Sequence, residues 1–221
     1  MANLNGKVIV VAGASGRLGR GLMQRFLRDG AAIAAIDRTR EDLRTRPLPE
    51  GAVAYPVHVY DEERLRACFE EIKDRFGRVD ALVHAIGMWA GRPLMETSLE
   101  QWEELLRVNL TSTFLCFREA VRAMEGSGCL IAFASATGAD GGRAEQSAYA
   151  AAKAGVIRLV EAVSAEHAEI TAHAIAPSLI RYDPEGRGVD AADLIELTCS
   201  LIEGLGPALD GATLRAYGTG A

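Results

Sequence analysis

The sequence lacks several features that would each place a protein in a different class. No apolar stretch approaches the ~18 consecutive residues of a membrane-spanning helix, and the opening MANLNGK does not combine the charged and apolar parts of a secretion signal. The formal net charge of −6 is spread along the 221 residues, and the basic residues form no stripe that would bind a phosphate backbone. We therefore expect a cytoplasmic protein that binds neither membranes nor nucleic acids.

Cysteine is scarce and unpaired in the sequence. The four cysteines are Cys68, Cys116, Cys129 and Cys199. No Cys-x-x-Cys pair occurs, and three of the four fall in apolar patterns typical of helices or strands. This distribution favours reduced thiols in a core. No motif in the sequence indicates a metal site, and no linker or charge run divides the chain.

Short apolar runs alternate with segments of helical periodicity. The runs predict strands at 7–12, 31–36, 52–57, 81–85, 129–134, 170–176 and 212–216. The periodic segments predict helices at 17–28, 61–76, 99–124, 147–168 and 191–203. Strands separated by helices indicate a parallel sheet with helices on both faces. With right-handed crossovers this is an α/β fold: a single doubly wound Rossmann-fold domain over 1–221, with a parallel sheet of about seven strands.

A glycine-spaced turn follows the first predicted strand directly. Gly13, Gly16 and Gly19 recur at intervals of three residues between that strand and the first helix. At such a junction the first glycine turns the chain, the second lets the backbone approach a pyrophosphate, and the third allows close helix–strand packing. An ordinary tight turn is the alternative, but the position of the motif favours a dinucleotide site.

The end of the second strand bears on which dinucleotide is bound. Asp37 follows the glycine turn by about 20 residues, where a carboxylate accepts hydrogen bonds from the ribose hydroxyls of NAD and repels the 2′-phosphate of NADP. The adjacent Arg38 argues the other way, because a guanidinium binds such a phosphate bidentately. The pair favours NAD(H) and leaves NADP(H) open. A solvated loop charge is the alternative interpretation of Asp37.

Tyr149 and Lys153 are four residues apart near the start of a predicted helix, so their side chains share one face. The pKa of a tyrosine is ordinarily ~10. A nearby ammonium, together with an oxidised nicotinamide ring, favours the phenolate and brings the hydroxyl closer to proton exchange at neutral pH. The spacing is common by chance, and an exposed helix pair is the alternative.

Together with further segments in the same order, these motifs resemble the short-chain dehydrogenase/reductase family from the first strand to the last. The further segments are DALVHAIG at 80–87, VNL at 108–110, ASATG at 134–138, APS at 176–178 and DGATL at 210–214. The resemblance implies an NAD(P)-dependent oxidoreductase that transfers hydride between nicotinamide and a small-molecule carbonyl or alcohol. It implies Tyr149 as the general acid/base and Lys153 as a ribose ligand that modulates the tyrosine pKa.

The resemblance implies two further catalytic residues. Ser135 is the hydroxyl that orients the substrate carbonyl, and Asn109 is the anchor of a water relay. Each has a simpler alternative, since serines often hydrogen-bond locally in turns and an asparagine inside a helix is often satisfied by backbone groups.

The same resemblance implies a set of dinucleotide contacts. They are Gly13, Ser15, Gly16, Arg17, Leu18, Gly19, Asp37, Arg38, Ala85, Ile86, Gly87, Tyr149, Lys153, Pro177 and Ile180.

Some positions depart from the family pattern. Arg17 replaces the middle glycine of the main reductase branch, so the turn is more similar to the extended and divergent branches. His84 replaces an asparagine, and we interpret it as a satisfied near-core histidine.

The segment that covers the substrate in many members of the family is short here. We expect a shortened lid around 181–190 and a pocket that is open or covered by a partner. Four residues after the fourth predicted strand are candidates to line the pocket: Met88, Trp89, Arg92 and Pro93. Arg92 or Arg143 would meet an anionic group there, and surface packing is the alternative.

The long helix and the family together imply a homodimer or homotetramer. Apolar residues cover more than one face of that helix: Leu99, Trp102, Leu105, Leu106, Leu110, Phe114, Phe117 and Val121. Packing within the monomer is the alternative.

Other functions remain open at this point. The glycine spacing admits a dihydropteridine-reductase-like enzyme. A catalytically idle dinucleotide-binding regulatory protein is disfavoured by the four filled catalytic positions. An extended-branch epimerase or dehydratase is disfavoured because the sequence has no C-terminal substrate domain.

Overall fold

The structure, a computed structural model, describes residues 3–38, 47–183 and 185–218. Its strands are β1 (Val8–Ala12), β2 (Ala32–Asp37), β3 (Ala52–Pro56), β4 (Ala81–His84), β5 (Gly128–Phe133), β6 (Ile170–Pro177), β7 (Ile180–Arg181), β8 (Val189–Asp190) and β9 (Thr213–Ala216). Its α-helices are α1 (Arg17–Arg28), α2 (Glu62–Phe76), α3 (Leu99–Leu106), α4 (Ser112–Met124), α5 (Ala136–Ala139), α6 (Ser147–Glu166) and α7 (Ala191–Ser200). Shorter helical turns lie at Leu94–Glu96, Arg107–Thr111, Leu201–Leu205 and Gly206–Leu209.

Seven strands form one parallel sheet in the order β3-β2-β1-β4-β5-β6-β9. From β1 the chain moves outward to β3 and then returns to β4 on the other side of β1. The order therefore reverses between β1 and β4, and in such sheets ligands bind beyond the carboxyl ends of the strands at that point. This topology confirms the predicted doubly wound α/β fold.

The strands are apolar along their whole length because helices cover both faces of the sheet. All five residues of β1 are buried, and alternate side chains enter different cores: Val10 packs on one face, and Ile9 and Val11 on the other. Phe26 of α1 and Phe117 of α4 are fully buried in these two cores. Complete burial of such a side chain contributes ~1.5–3 kcal/mol, so each face holds its helices firmly.

The helix boundaries follow local capping signals. Asp61 accepts a hydrogen bond from the backbone N–H of Arg64 at 3.1 Å and so begins α2, which ends at Gly77 with a φ of 80°. Ser98 and Gln101 form a reciprocal capping box at the start of α3. Such caps are readable in the sequence, and most predicted boundaries agree with the structure to within a few residues.

Some predicted elements differ from the structure. The helix expected at 99–124 is interrupted by a π-helical turn at Arg107–Thr111, and the helix expected at 191–203 ends at Ser200. The four-residue α5 and the β7–β8 pair were not predicted, because elements this short carry no periodicity.

All four cysteines are buried and free, as predicted. Within the described ranges, no helix has both the length and the apolar character needed to cross a membrane.

Candidate active site

The glycine turn connects β1 to α1 at the carboxyl edge of the sheet. Gly13 has a φ of +87°, and a Cβ there would lie 2.8 Å from the backbone of Ala85 and Ile86. A Cβ on Gly19 would lie 2.3 Å from the carbonyl oxygen of Gly13. Both positions therefore require glycine, whereas a Cβ on Gly16 would approach that carbonyl oxygen only to 3.3 Å. The first turn of α1 has no side-chain cap and no acidic residue, so its N–H groups are available to an anion.

Asp37 is buried at the end of β2 and faces the glycine turn. Its Oδ2 accepts a hydrogen bond from the backbone N–H of Ser15 at 2.7 Å, and its Oδ1 accepts one from the N–H of Arg38 at 2.8 Å. Each carboxylate oxygen has capacity for a further hydrogen bond. The side chain is thus held in place with acceptor capacity to spare.

The π-helical turn between α3 and α4 contains Asn109, which is fully buried. Its Nδ2 donates hydrogen bonds to the carbonyl oxygens of Leu105 and Met88 at 3.0 and 2.9 Å, and its Oδ1 accepts one from the N–H of Met88 at 3.1 Å. The asparagine therefore fixes the loop that follows β4 against the helix. Single π-turns of this kind occur frequently at functional sites.

Lys153 of α6 carries a buried ammonium. Its Nζ donates a hydrogen bond to the carbonyl oxygen of Phe133 at 2.7 Å, which ties α6 to the end of β5. Burial lowers the pKa of Lys153 to about 8. A Cβ added to Gly87 would lie 3.2 Å from Asn109 Oδ1 and 3.5 Å from Lys153 Nζ, so the loop after β4 passes between these two side chains.

Ser135 and Tyr149 meet where β5 and α6 converge. Ser135 is buried, and its Oγ accepts a hydrogen bond from the N–H of Thr137 at 3.2 Å. Burial raises the pKa of Tyr149, and a hydrogen bond with the Ser135 side chain opposes this more weakly. The sequence predicted a lowered pKa from Lys153 acting together with an oxidised nicotinamide ring, and the protein chain alone gives the opposite direction. In the structure, Lys153 Nζ lies 5.9 Å from the centre of the Tyr149 ring and is bound to Phe133.

His84 ends β4 beneath this site. Its Nε2 lies 3.0 Å from the Ser112 hydroxyl and its Nδ1 lies 3.3 Å from the Thr113 hydroxyl. Burial, reinforced by the positive charge of Lys153, lowers the pKa of His84 to about 3. The imidazole is neutral and hydrogen-bonded inside the core, which confirms the sequence-based interpretation.

A cavity of about 640 Å³ brings these elements together, and its size falls in the range typical of ligand sites. The predicted site residues that line it are Gly16, Arg17, Leu18, Gly19, Ala85, Ile86, Gly87, Asn109, Ser135, Tyr149, Lys153, Pro177 and Ile180. The remaining predicted residues do not line this cavity: Gly13, Ser15, Asp37 and Arg38. They belong to the glycine turn and the end of β2, and the Asp37–Ser15 hydrogen bond joins the two.

The predicted pocket-lining residues divide into two groups. Met88 and Trp89 line the cavity, and so does Arg143. Arg92 and Pro93 do not, which corrects the sequence-based expectation. The N–H of Arg92 donates a hydrogen bond to the carbonyl oxygen of Glu145 at 2.6 Å, and this contact places Arg92 in a separate cleft of about 200 Å³.

The short segment after β6 closes one side of the cavity. β7 and β8 pair with each other, and position 184 between them lies outside the described residues. The Arg17 guanidinium lies 4.0 Å from the centre of the Tyr182 ring, a cation–π contact between the glycine turn and this segment. Arg187 also lines the cavity, as does Gln146. Sequence reasoning missed both, although Gln146 lies three residues before Tyr149 and so belongs to the same helix start.

Comparison with known proteins decides the family. Residues 7–187 match the family model described as short chain dehydrogenase. The chain belongs to the short-chain dehydrogenase family. The predicted class, an oxidoreductase acting on hydroxyl and keto groups, is thereby confirmed.

Relatives of this short-chain dehydrogenase carry several activities in their names. It is 32% identical over 187 residues to a 3-oxoacyl-(acyl-carrier-protein) reductase from Vibrio cholerae, which covers 82% of this chain and 76% of the relative. It is 28% identical over 181 residues to a meso-2,3-butanediol dehydrogenase from Serratia marcescens, covering 79% of this chain and 72% of the relative. A crystal structure of a short-chain dehydrogenase/reductase from Burkholderia xenovorans matches with a TM-score of 0.88 at 26% identity, covering 99% of this chain and 97% of the other.

Proposed function

We propose that the protein is an NAD(P)-dependent oxidoreductase that interconverts a carbonyl and an alcohol, with Tyr149 as the general acid/base. The observation that carries this proposal is one cavity that contains both the glycine turn and the side chains of Ser135, Tyr149 and Lys153. The relatives support the class of reaction, and none of the three described above is named as a dihydropteridine reductase, an epimerase or a regulatory protein. We also propose that the chain acts as a single domain with a shortened lid around 181–190.

The residues present fit a nicotinamide dinucleotide. The turn leaves no room for side chains at Gly13 and Gly19, and the uncapped start of α1 suits a pyrophosphate. Asp37 retains acceptor capacity for ribose hydroxyls. When bound, the nicotinamide ring supplies the position that donates or accepts hydride.

The side chains of this protein supply orientation and proton transfer. The Ser135 side chain acts on the Tyr149 hydroxyl and both residues line the cavity, so together they are placed to hold a substrate oxygen. Because the pKa of Tyr149 is raised, its hydroxyl keeps its proton at neutral pH and is suited to protonate a carbonyl oxygen as the carbon is reduced. Lys153 is fixed by Phe133 and is available to bind the ribose, and Asn109 anchors the adjoining loop and the water relay we propose there.

The acid/base role is tested by replacing Tyr149 with phenylalanine. The substitution removes the hydroxyl and retains the ring, so kcat for carbonyl reduction falls ~100-fold or more, in line with general acid catalysis. NADH affinity, measured by fluorescence titration, changes less than about threefold. Ser147→Ala, at another hydroxyl of the same helical turn but outside the cavity lining, is the control. Wild-type turnover in Tyr149→Phe would refute the assignment, and NADH binding without turnover of any carbonyl by the wild type would indicate an idle binding protein.

We propose NAD(H) as the preferred cofactor, with NADP(H) as the alternative. The negative charge of Asp37, next to the glycine turn, repels a 2′-phosphate. The wild type is expected to bind NADH at least ~10-fold more tightly than NADPH, equivalent to ~1.4 kcal/mol. Asp37→Ala should remove most of that preference, and Arg38→Ala should leave or increase it. Equal affinities for NADH and NADPH in the wild type would contradict the proposal.

A further inference from the structure

The active-site cavity is lined by basic residues and, within the part of the chain that is described, by no carboxylate. Its charged lining residues are Arg17, Arg143, Lys153 and Arg187. This is the reverse of the whole sequence, which has 30 acidic and 24 basic residues. A cleft lined by one sign of charge concentrates ligands of the opposite sign.

Two of these cations already have partners in the structure. Lys153 is hydrogen-bonded to the Phe133 carbonyl oxygen, and Arg17 stacks on Tyr182 at the start of α1, where the cofactor phosphates are expected. The side chains of Arg143 and Arg187 form no hydrogen bond or ion pair with any of the described residues. Their charge is available to a ligand.

Asp140 is an acidic neighbour of Arg143, but it already has other partners. Asp140 feels the charge of Arg143, and its pKa is lowered chiefly by hydrogen bonds from Arg215 and Tyr217. The Arg215 Nε donates to Oδ1 at 2.7 Å and the Tyr217 hydroxyl donates to Oδ2. Asp140 is held by these two partners, and among the described residues no hydrogen bond or ion pair joins it to the guanidinium of Arg143.

Arg143 lies on the substrate side of the cavity. It belongs to the loop between α5 and α6, which lies in the chain between Ser135 and Tyr149, the two residues proposed to hold the substrate oxygen. On the same loop, Gln146 accepts a hydrogen bond at Oε1 from the Thr137 hydroxyl at 3.0 Å, which leaves its NH₂ group as a donor at the cavity.

Apolar side chains accompany Arg143 and Gln146 in the lining of the cavity. Met88, Trp89 and Leu179 line it, and Trp89 and Leu179 expose 62% and 65% of their surface in the absence of anything packed on them. A ligand that fits this cavity therefore combines an apolar body with a negatively charged group.

We propose that the substrate is an anionic carbonyl compound, and that Arg143 binds its carboxylate or phosphate group with help from the Gln146 amide. A guanidinium presents paired N–H groups that match either group bidentately. The inference rests on the proposed function and adds a substrate class to it: uncharged ketones, diols and polyols are poor substrates.

Matched substrate pairs test the charge requirement. With NADH in excess, reduction is measured for 3-oxohexanoate against its methyl ester and for dihydroxyacetone phosphate against dihydroxyacetone. The charged member of at least one pair is expected to have a kcat/KM ~10–100-fold higher, as for a hydrogen bond to a charged group. Preference within the first pair identifies a carboxylate, and preference within the second identifies a phosphate. Equal kcat/KM within both pairs would overturn the proposal.

Substitution of Arg143 locates the effect. Arg143→Ala should lower kcat/KM for the charged member ~10–100-fold, mainly through KM, and should change the value for the neutral member less than about threefold. Arg143→Lys should recover part of the loss, because lysine keeps the positive charge but lacks the paired N–H groups of the guanidinium. Arg92→Ala, at the neighbouring arginine outside the cavity, should behave like the wild type. A loss of equal size for charged and neutral substrates would contradict a charge-recognition role.

A binding measurement separates failure of this inference from failure of the proposed function. Hexanoate and hexanamide have the same chain and differ in charge, and each is titrated into the enzyme–NADH complex by calorimetry. Tighter binding of hexanoate that is lost in Arg143→Ala supports the anion site, even if no carbonyl is reduced and the proposed reaction fails. Equal binding of the two ligands by the wild type would overturn the anion site while leaving the reductase proposal intact.

Discussion

At the scale of single residues, the buried charge of Lys153, a proposed active-site residue, opposes the stability of the fold. The side chain is 4% exposed, and burial lowers its pKa from 10.5 to about 8. Each pKa unit corresponds to ~1.4 kcal/mol of differential stabilisation between protonation states. At neutral pH the side chain is still an ammonium, but the protein stabilises that charge less than water does, even with the hydrogen bond to Phe133.

Lys153→Met is expected to abolish the proposed activity while raising the free energy of unfolding by ~1–3 kcal/mol at pH 7, because it removes the buried charge. The folded pKa lies below the unfolded one, so the unfolded state binds more protons between about pH 8 and 10.5, and the wild type gains stability as the pH rises through that window. The advantage of the variant should accordingly shrink between pH 7 and pH 10 in urea titrations.

Lys73→Met is the matched control for this prediction. Lys73 forms a surface ion pair with Glu125, and such pairs contribute ~0–1 kcal/mol. A variant at Lys153 that is less stable than the wild type at pH 7 would show that the hydrogen bond to Phe133 outweighs the burial of charge.

At the scale of elements, the β1–α1 turn depends on the absence of side chains at particular positions. Gly19 and Gly21 both lie in α1, but their surroundings differ. A Cβ on Gly19 would collide with the Gly13 carbonyl oxygen at 2.3 Å, whereas a Cβ on Gly21 would meet the flexible end of Ile195 at 2.8 Å. Backbone cannot move aside as a side-chain terminus can.

Gly19→Ala should therefore distort the turn, lower the free energy of unfolding by ~1–3 kcal/mol as in overpacked cores, and weaken NADH binding. Gly21→Ala gains the same helix propensity as Gly19→Ala, ~1 kcal/mol, but without the backbone collision. It should therefore bind NADH like the wild type and be at least as stable as the wild type. Thermal unfolding and fluorescence titration of both variants give the comparison. If the two variants behave alike, backbone contact at Gly19 is not what constrains the turn.

At the scale of the whole molecule, the apolar residues of the long helical segment separate into core and surface. Leu105 and Phe117 are buried within the monomer, as the simpler sequence interpretation had it. Leu99 and Phe114 are 70% and 43% exposed, so the apolar surface available to a second copy is narrower than the sequence suggested. We propose that this surface takes part in a homodimer or homotetramer.

Light scattering should give a mass two or four times the 23.6 kDa of one chain. Phe114→Glu places a charge on the proposed interface and should reduce the mass, because an unpaired charge is unfavourable when buried. Met95→Glu, at a side chain that is 94% exposed and lies in the turn before that helical segment, should not. A wild-type mass of one chain would disprove the oligomer, and an unchanged mass in Phe114→Glu would place the interface elsewhere.

The features that could be predicted from the sequence are those set by residues close together in the chain. Apolar runs and helical periodicity predicted the seven sheet strands and the main helices, because each reports burial that repeats along one element. The glycine spacing predicted the turn after β1, since steric freedom is a property of the residue itself. Tyr149 and Lys153 were placed on one helix by their four-residue separation alone.

Only the tertiary structure decided how distant segments act on those residues. Burial determines the direction of the Tyr149 pKa, the Phe133 carbonyl determines where the Lys153 ammonium points, and a π-turn directs Asn109 to the loop after β4. The same holds for the arginines, because Arg143 faces the cavity while a backbone contact with Glu145 keeps Arg92 outside it. Hydrogen bonding and desolvation depend on which atoms meet in space, and the local pattern of a sequence does not contain that information.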